Sequence, residues 1–317
     1  MAQLIKIQDY LSRYERDLYH YSSQFTRVKQ HNWDRAKDYF YNGKQADIAE
    51  LEESLTPEQS LFQKVKFFFK KDELVEIDKQ YMEVALEKEE GEESFDAENL
   101  TTFVTDPKNL QDLKVLFLEN VFQMQMRWAT STLFELSNAD KRYFYDEKLQ
   151  YFLKSFPDTF LLMYKPVFLV KKAPVEAEVI LITPTETICI AMVEGKNGSV
   201  FQYSKENFWT ELIGKDKKKV LNPVLGLNRT VQLVKSLYQS HNIDRPIRKV
   251  LLSRNGFFDS PKEPYQIDFI DKRNYEEWFY SLRRLSAPLK FNQLQAAEAL
   301  LKHSQSIYFD RSENESF

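Results

Sequence analysis

The chain has 317 residues and a formal net charge of −4, and 43% of its residues are hydrophobic. This length predicts roughly two domains, with enough apolar side chains for a sizeable core. The mildly negative charge excludes an overall basic field, although it leaves room for a local basic patch. A single cysteine excludes an intrachain disulfide and a cysteine-rich zinc site, and no two of the seven glycines have the spacing of a familiar phosphate-binding loop.

Charged residues interrupt the amino-terminal segment at Lys6, Asp9 and Arg13, before a signal-peptide core could form. The longest apolar runs fall far short of the about 20 residues that a membrane-spanning helix needs. These features predict a cytoplasmic protein that does not cross a membrane.

The first half of the chain contains few residues that break helices. Apolar side chains recur at helical spacing over residues 4–21, and a second periodic segment covers about 24–41. Further helices are predicted to start at Thr56-Pro57 and at Pro107, and the acidic run 87–98 between them predicts a solvated segment.

We therefore expect a helical amino-terminal region over about residues 1–137. One more helix is predicted over residues 138–156, ended by Pro157.

From residue 157 onward glycine and proline become more frequent, and β-branched runs alternate with helical segments. Strands are predicted at 167–170, 175–183, 187–193, 248–253 and 265–270. Helices are predicted at 204–213, 224–240, 274–285 and 292–304, with a charged loop at 214–219. The order predicts an α/β (α+β) domain with a mixed sheet flanked by helices over residues 138–290, followed by a carboxyl-terminal helix and tail at 291–317.

Acidic side chains mark the ends of two neighbouring predicted strands. Glu178 begins one apolar strand, and Glu194 and Lys196 end the next, two residues apart and therefore pointing the same way. Two carboxylates and a lysine on adjacent strands suit a Mg²⁺-dependent phosphodiesterase, because hard oxygen ligands hold the ion and the lysine can stabilise developing charge. The alternative is an ion-paired strand end on a solvated rim.

The loop between these strands decides whether the two acids meet. A three-residue loop at 185–187 pairs Pro184 with Ile188 and places Glu178 opposite Glu194, with β-carbons about 5 Å apart. A two-residue loop at Pro184-Thr185 instead places Glu178 opposite Ala191, and Glu194 then lies about 10 Å further along the strand. The sequence leaves both registers open.

Several of these segments resemble the nuclease-related domain, NERD, whose fold is similar to that of PD-(D/E)xK restriction endonucleases. They are the run from Glu178 through Ile182-Thr183-Pro184, the strand ending in Glu194-Gly195-Lys196, the helix start Asn222-Pro223-Val224, and the strand around 250–252. The resemblance covers about residues 140–285.

The resemblance implies a role for each matching residue. Glu178 takes the metal-binding acid position, Glu194 and Lys196 take the Glu-x-Lys pair, and Glu147 takes the upstream helix glutamate. It implies Mg²⁺ or Mn²⁺ as cofactor and DNA phosphodiesters as substrate. Glu147 is alternatively an acid that is favourable at a helix start.

The chain departs from the family pattern at two positions that bear on this assignment. The first acid is usually Asp rather than Glu, and the helix usually reads Asn-Pro-x-x-Gln, whereas Gly226 occupies the glutamine position. These departures favour a second hypothesis, a catalytically degenerate nuclease-fold protein that binds a nucleic acid or a protein partner. The retained Glu194 and Lys196 favour an active nuclease.

A basic segment offers a candidate nucleic-acid contact, formed by Lys215, Lys217, Lys218 and Lys219. The helical amino-terminal half could instead recognise a protein partner. His20 and His31 have no partner at ligand spacing, and His241 belongs to no triad motif. The sequence leaves the oligomeric state open.

Overall fold

A computed structural model describes residues 1–43, 107–132, 134–259, 266–285 and 287–310. The predicted helix start at Thr56-Pro57 and the acidic run 87–98 lie outside these residues. The chain divides into two compact units, residues 1–23 together with 122–317, and residues 24–121.

We number the elements in chain order. The α-helices are α1 (Leu18–Asp38), α2 (Leu110–Trp128), α3 (Glu147–Ser155), α4 (Pro223–Ser240), α5 (Tyr275–Arg283) and α6 (Phe291–His303). The first strands are β1 (Gln3–Ile7), β2 (Glu135–Leu136), β3 (Leu161–Tyr164), β4 (Val167–Val170), β5 (Ala173–Glu176), β6 (Val179–Ile182) and β7 (Thr187–Met192). The later strands are β8 (Val200–Gln202), β9 (Phe208–Ile213), β10 (Asp216–Leu221), β11 (Ile247–Leu252), β12 (Phe257–Asp259), β13 (Asp268–Ile270) and β14 (Phe309–Asp310).

A six-stranded mixed sheet forms the centre of the larger unit, in the order β1-β3-β6-β7-β11-β13. The middle strands are buried on both faces, as their β-branched, near-continuous apolar sequences require. Apolar side chains of α3 and α5 cover one face, and α4 and α6 contact the strands on the other. The predicted fold class, a mixed sheet flanked by helices, is confirmed.

A second sheet of four strands has the order β10-β9-β8-β12. It corrects two expectations, because residues predicted as a helix at 204–213 and a charged loop at 214–219 form the hairpin β9–β10. Lys218 pairs with Glu211 and Val220 with Trp209 in this hairpin. Local composition did not predict the pairing, because strand preference depends on cross-strand packing that the segment alone does not contain.

The amino-terminal segment corrects a third expectation. Residues with helical spacing at Leu4 and Ile7 belong to β1, which pairs in parallel with β3, so that Gln3 lies beside Leu161. All five residues of β1 are buried, and the sheet overrides the helical pattern. The first 23 residues are consequently grouped with the sheet.

The described helical parts of residues 24–121 come from α1 and α2. Trp33 packs against Phe117 there, with ring centroids 5.0 Å apart. The helix predicted after Pro107 is confirmed, since α2 begins at Leu110. Among the residues that the structure describes, no helix is long and apolar enough to cross a membrane.

A buried ion pair fixes the edge strand β1. The Lys6 ammonium donates to the Glu15 carboxylate at 2.6 Å, to the Ser306 hydroxyl at 2.6 Å and to the Tyr10 carbonyl at 2.7 Å. Burial lowers the pKa of Lys6, and Glu15 opposes that shift. Because Ser306 in turn donates to Glu15 at 2.7 Å, one hydrogen-bond network joins β1 to the segment that follows α6.

Replacing Lys6 with methionine should lower the free energy of unfolding by about 3–5 kcal/mol, because Glu15 would keep its charge in a partly buried place without the cation that balances it. Urea unfolding at neutral pH measures this loss. The matched control is Lys302→Met, which breaks an exposed pair with Glu298 and should cost about 1 kcal/mol or less. Equal losses in the two variants would contradict the assignment.

Candidate functional site

The hairpin β6–β7 has the shorter of the two predicted loops. Ile182 pairs with Thr187 and Val179 with Ile190, and the Thr183 amide donates to the Glu186 carbonyl at 2.9 Å. Pro184 and Thr185 are therefore the two loop residues. Continued by one pair, this register places Glu178 opposite Ala191 and leaves Glu194 three residues beyond.

Buried polar contacts hold this register at the turn. The Thr183 hydroxyl accepts from the Glu186 amide at 3.1 Å. The Arg245 guanidinium, which is almost fully buried, donates to the Thr187 hydroxyl at 3.0 Å, to the Glu186 carbonyl at 3.0 Å and to the Thr183 carbonyl. A shift in the register of the hairpin would leave these buried groups without hydrogen-bond partners.

The register separates the two predicted acids onto opposite faces of the sheet. Side chains alternate along a strand, so Glu194, an odd number of residues from Ala191, points away from the face that carries Glu178. The surroundings agree with this alternation. The Glu178 amide donates to the Thr230 hydroxyl of α4, whereas Glu194 pairs with Arg254, whose guanidinium lies 4.4 Å from the ring centre of Tyr151 in α3.

Glu178 lies beneath α4 in a place that Gly226 leaves open. A β-carbon built on Gly226 would lie 2.4 Å from Oε1 of Glu178, so a side chain there would require the carboxylate to move. Burial raises the pKa of Glu178, and the positive charge of Lys165 opposes the shift. The two positions that depart from the family pattern are thus direct neighbours in space.

Glu194 forms an ion pair with Arg254, which follows the parallel strand β11. β11 runs beside β7 with Leu252 next to Met192, and the same register continued by two residues brings Arg254 beside Glu194. Both carboxylate oxygens accept from the guanidinium, Oε1 from Nε and Oε2 from Nη2, the latter at 3.1 Å. This two-point ion pair places a positive charge against both carboxylate oxygens.

The upstream acid that faces the sheet is Asp146 rather than the predicted Glu147. Asp146 caps α3 by accepting from the amides of Lys148 and Leu149, and its Oδ2 accepts from the Tyr164 hydroxyl at 2.7 Å. Glu147 is exposed on the first turn of α3. In the sequence, Asp146 stands at a helix-capping position. That position indicates a cap and does not by itself indicate a functional site.

Asp146, Tyr164, Glu194 and Arg254 lie at one end of the sheet on the α3 face. Burial raises the pKa of Tyr164, and the negative charges of Asp146 and Glu194 raise it further, which places both acids near the phenol. Lys196, the other half of the Glu-x-Lys pair, is exposed in the turn that follows β7. Glu194 is therefore paired with Arg254, Lys196 faces solvent, and Glu178 does not join them.

Gly195 allows another buried carboxylate to approach this turn. A β-carbon on Gly195 would lie 1.9 Å from Oε1 of Glu211, which accepts from the Ser199 hydroxyl at 2.8 Å. Glu211 is a β9 residue that sequence analysis did not single out, because its segment was predicted as a helix. It is 4% exposed, and its approach explains why glycine occupies the middle of Glu194-Gly195-Lys196.

The predicted Mg²⁺ ligands do not fit a shared ion. Mg²⁺ requires oxygens about 2.0–2.1 Å away in near-octahedral arrangement, and Glu178 lies on the face opposite Glu194. In the ranges that the structure describes, no three His, Cys, Asp or Glu side chains form a group that could hold a metal.

The predicted basic segment lies on β10 rather than in a loop. Lys217 and Lys219 point to one face of the hairpin, and Lys218 points to the other with Trp209 and Glu211. All three lysines are exposed, as is Lys215 in the turn before the strand. Phe208, which is 52% exposed, shares the face of Lys217 and Lys219.

The contact between Glu178 and Gly226 predicts a sign reversal. Glycine to alanine within a helix ordinarily stabilises by about 1 kcal/mol. Gly226→Ala should instead destabilise the chain, because the new methyl group displaces a partly buried carboxylate. In a Glu178→Ala background the same substitution should stabilise it, and a double-mutant cycle of urea midpoints measures the coupling, expected at roughly 0.5–3 kcal/mol. Additive effects would contradict the contact.

The raised pKa of Glu178 predicts how stability depends on pH. A carboxyl group whose folded pKa exceeds its unfolded value of about 4.3 binds its proton more tightly when folded. Its stabilising contribution is therefore present below the unfolded pKa and is lost as pH rises through the raised folded value. Glu178→Gln should stabilise the chain at pH 7 relative to the natural sequence, and this gain should shrink near pH 4.

Urea unfolding at the two pH values makes this comparison. The control is the exposed Glu206→Gln, whose effect should be the same at both. A gain for Glu178→Gln that does not change with pH would contradict the prediction.

Comparison with known proteins agrees with the resemblance seen in the sequence. Residues 141–253 match the model of the nuclease-related domain family, NERD. An RNA 2′,3′-cyclic phosphodiesterase from Geobacillus stearothermophilus is 48% identical over 52 residues, which cover 16% of this chain and 17% of that protein. No solved structure matches the chain significantly. The predicted NERD resemblance is thus confirmed, and residues 141–253 are the part of this chain that matches the family model.

Proposed function

We propose that the nuclease-related domain is a nucleic-acid-binding module in which the metal-dependent cleavage site is degenerate. The observation that carries this proposal is the hairpin register, which directs Glu178 and Glu194 to opposite faces of the sheet. The partner of each acid supports it further. Arg254 supplies the positive charge next to Glu194, and Gly226 provides the space that Glu178 fills.

The exposed face of the β9–β10 hairpin supports nucleic acid as the partner. Lys217 and Lys219 can each contact a phosphate, and Phe208 on the same face can stack on an unpaired base. Phe208 is directly opposite Leu221, which is 67% exposed, so this end of the hairpin is open to a ligand. Single-stranded nucleic acid suits such a surface, because stacking needs a free base.

The alternative is a Mg²⁺-dependent nuclease that acts on DNA phosphodiesters. The family match favours it, as does the retained pair of Glu194 and Lys196. The partial relative is named for an RNA phosphodiester substrate, so the nucleic acid that this chain prefers is an open part of the proposal.

Salt dependence of binding tests the proposed contact. Replacing both Lys217 and Lys219 with alanine should weaken binding to a fluorescent single-stranded oligonucleotide and reduce the slope of log K against log salt by about 1.4, because two phosphate contacts are lost. The matched control replaces Lys171 and Lys172, two exposed lysines in the turn of another hairpin. An equal change in both double variants would contradict the assigned surface.

Cleavage assays decide between the two functions. With single- and double-stranded DNA and RNA, we expect no cleavage that depends on Mg²⁺ or Mn²⁺, and no rise in the thermal unfolding temperature with either ion. Cation-dependent cleavage that Glu194→Ala abolishes, while oligonucleotide binding persists, would overturn the degenerate site and establish the nuclease.

A further inference from the structure

Two of the four histidines meet at the ends of two helices. His241 caps the carboxyl end of α4, His303 is the last residue of α6, and their Nε2 atoms are 2.9 Å apart. The two residues are 62 positions apart in the chain, so only the packing of α4 against α6 brings them together. Both are exposed.

The distance between the two nitrogens suits coordination of one metal ion. Imidazole nitrogens bind such ions at about 2.0–2.1 Å, so two of them are about 2.9 Å apart at a right angle and about 3.3 Å apart at the tetrahedral angle. The observed 2.9 Å matches the right angle, which is typical of square-planar or tetragonal Ni²⁺ and Cu²⁺. Zn²⁺ would require the rings to separate by about 0.4 Å.

The surrounding backbone also favours a positive charge. The carboxyl ends of α4 and α6 meet at this point, and the dipole of each helix places a partial negative charge there. Two neutral imidazoles can share an N–H···N hydrogen bond at the same distance. A metal ion 2.0–2.1 Å from both nitrogens would lie to one side of the line that joins them, so the two rings would turn until both lone pairs point at the ion.

We propose that His241 and His303 form a two-histidine binding site for a divalent transition-metal ion, Ni²⁺ or Cu²⁺ in preference to Zn²⁺, with water completing the coordination. The site is remote from the acids discussed above. Fifteen residues of α4 separate His241 from Gly226, a distance of about 22 Å along the helix. A bound ion would tether the ends of α4 and α6, and the proposal does not depend on the proposed nucleic-acid function.

Calorimetric titration of the full chain, without a histidine tag, with NiCl₂ at neutral pH tests this site. We expect one Ni²⁺ per chain and a thermal unfolding temperature raised by roughly 2 °C when free Ni²⁺ is about ten times Kd. His241→Ala and His303→Ala should each weaken Ni²⁺ binding at least about tenfold, because either leaves a single ligand. The double variant, which keeps neither ligand, should bind at least as weakly as either single variant.

The remaining histidines supply matched controls. His20→Ala and His31→Ala remove exposed imidazoles elsewhere and should leave the Ni²⁺ affinity unchanged. Saturable binding of unchanged affinity in both His241→Ala and His303→Ala would overturn the site, as would the absence of saturable binding to the natural chain. One Ni²⁺ per two chains would place the ion between molecules and would overturn the site within one chain. A parallel ZnCl₂ titration should give the weaker affinity, and a tighter one would overturn the metal preference.

Discussion

The pairing of β6 with β7 is the constraint on which the rest of the candidate site depends. Side chains alternate with a period of two, so an odd shift in register moves a side chain to the opposite face of the sheet. The two-residue loop at Pro184-Thr185 sets this register. The buried Arg245 stabilises it by donating hydrogen bonds to the Thr187 hydroxyl and the Glu186 carbonyl. Glu178 consequently faces α4, and Glu194 faces α3.

Each acid near the sheet is accommodated by a different neighbour. Glu178 fills the space left by Gly226, Glu194 pairs with Arg254, Asp146 accepts from Tyr164, and Glu211 approaches Gly195. A buried carboxylate is costly unless it has a partner or a hydrogen bond. Each of these acids therefore has its own separate neighbour, whereas a shared metal ion requires several acids to converge on one point. A fold can persist while its site changes in this way.

The buried charge of Lys6 in β1 is also tolerated because it has partners. Lys6 is a charged residue in a strand that is buried throughout, and it is tolerated because Glu15, Ser306 and a backbone carbonyl satisfy its ammonium. The network links β1 to the segment after α6. The two histidines at the ends of α4 and α6 form another contact between elements distant in the chain, and there the partner could be a metal ion instead of a carboxylate.

The sequence by itself determined the apolar strands, the helix α4 with its Asn222-Pro223 start, and the match to the nuclease-related family, because these depend on short-range patterns. It also narrowed the hairpin to two registers, of which the structure has one. Tertiary structure alone decided that β1 and β10 are strands, that Arg254 reaches Glu194, and that Gly226 makes room for Glu178. These outcomes depend on pairing between distant segments, and a strand's partners are not encoded in its own residues.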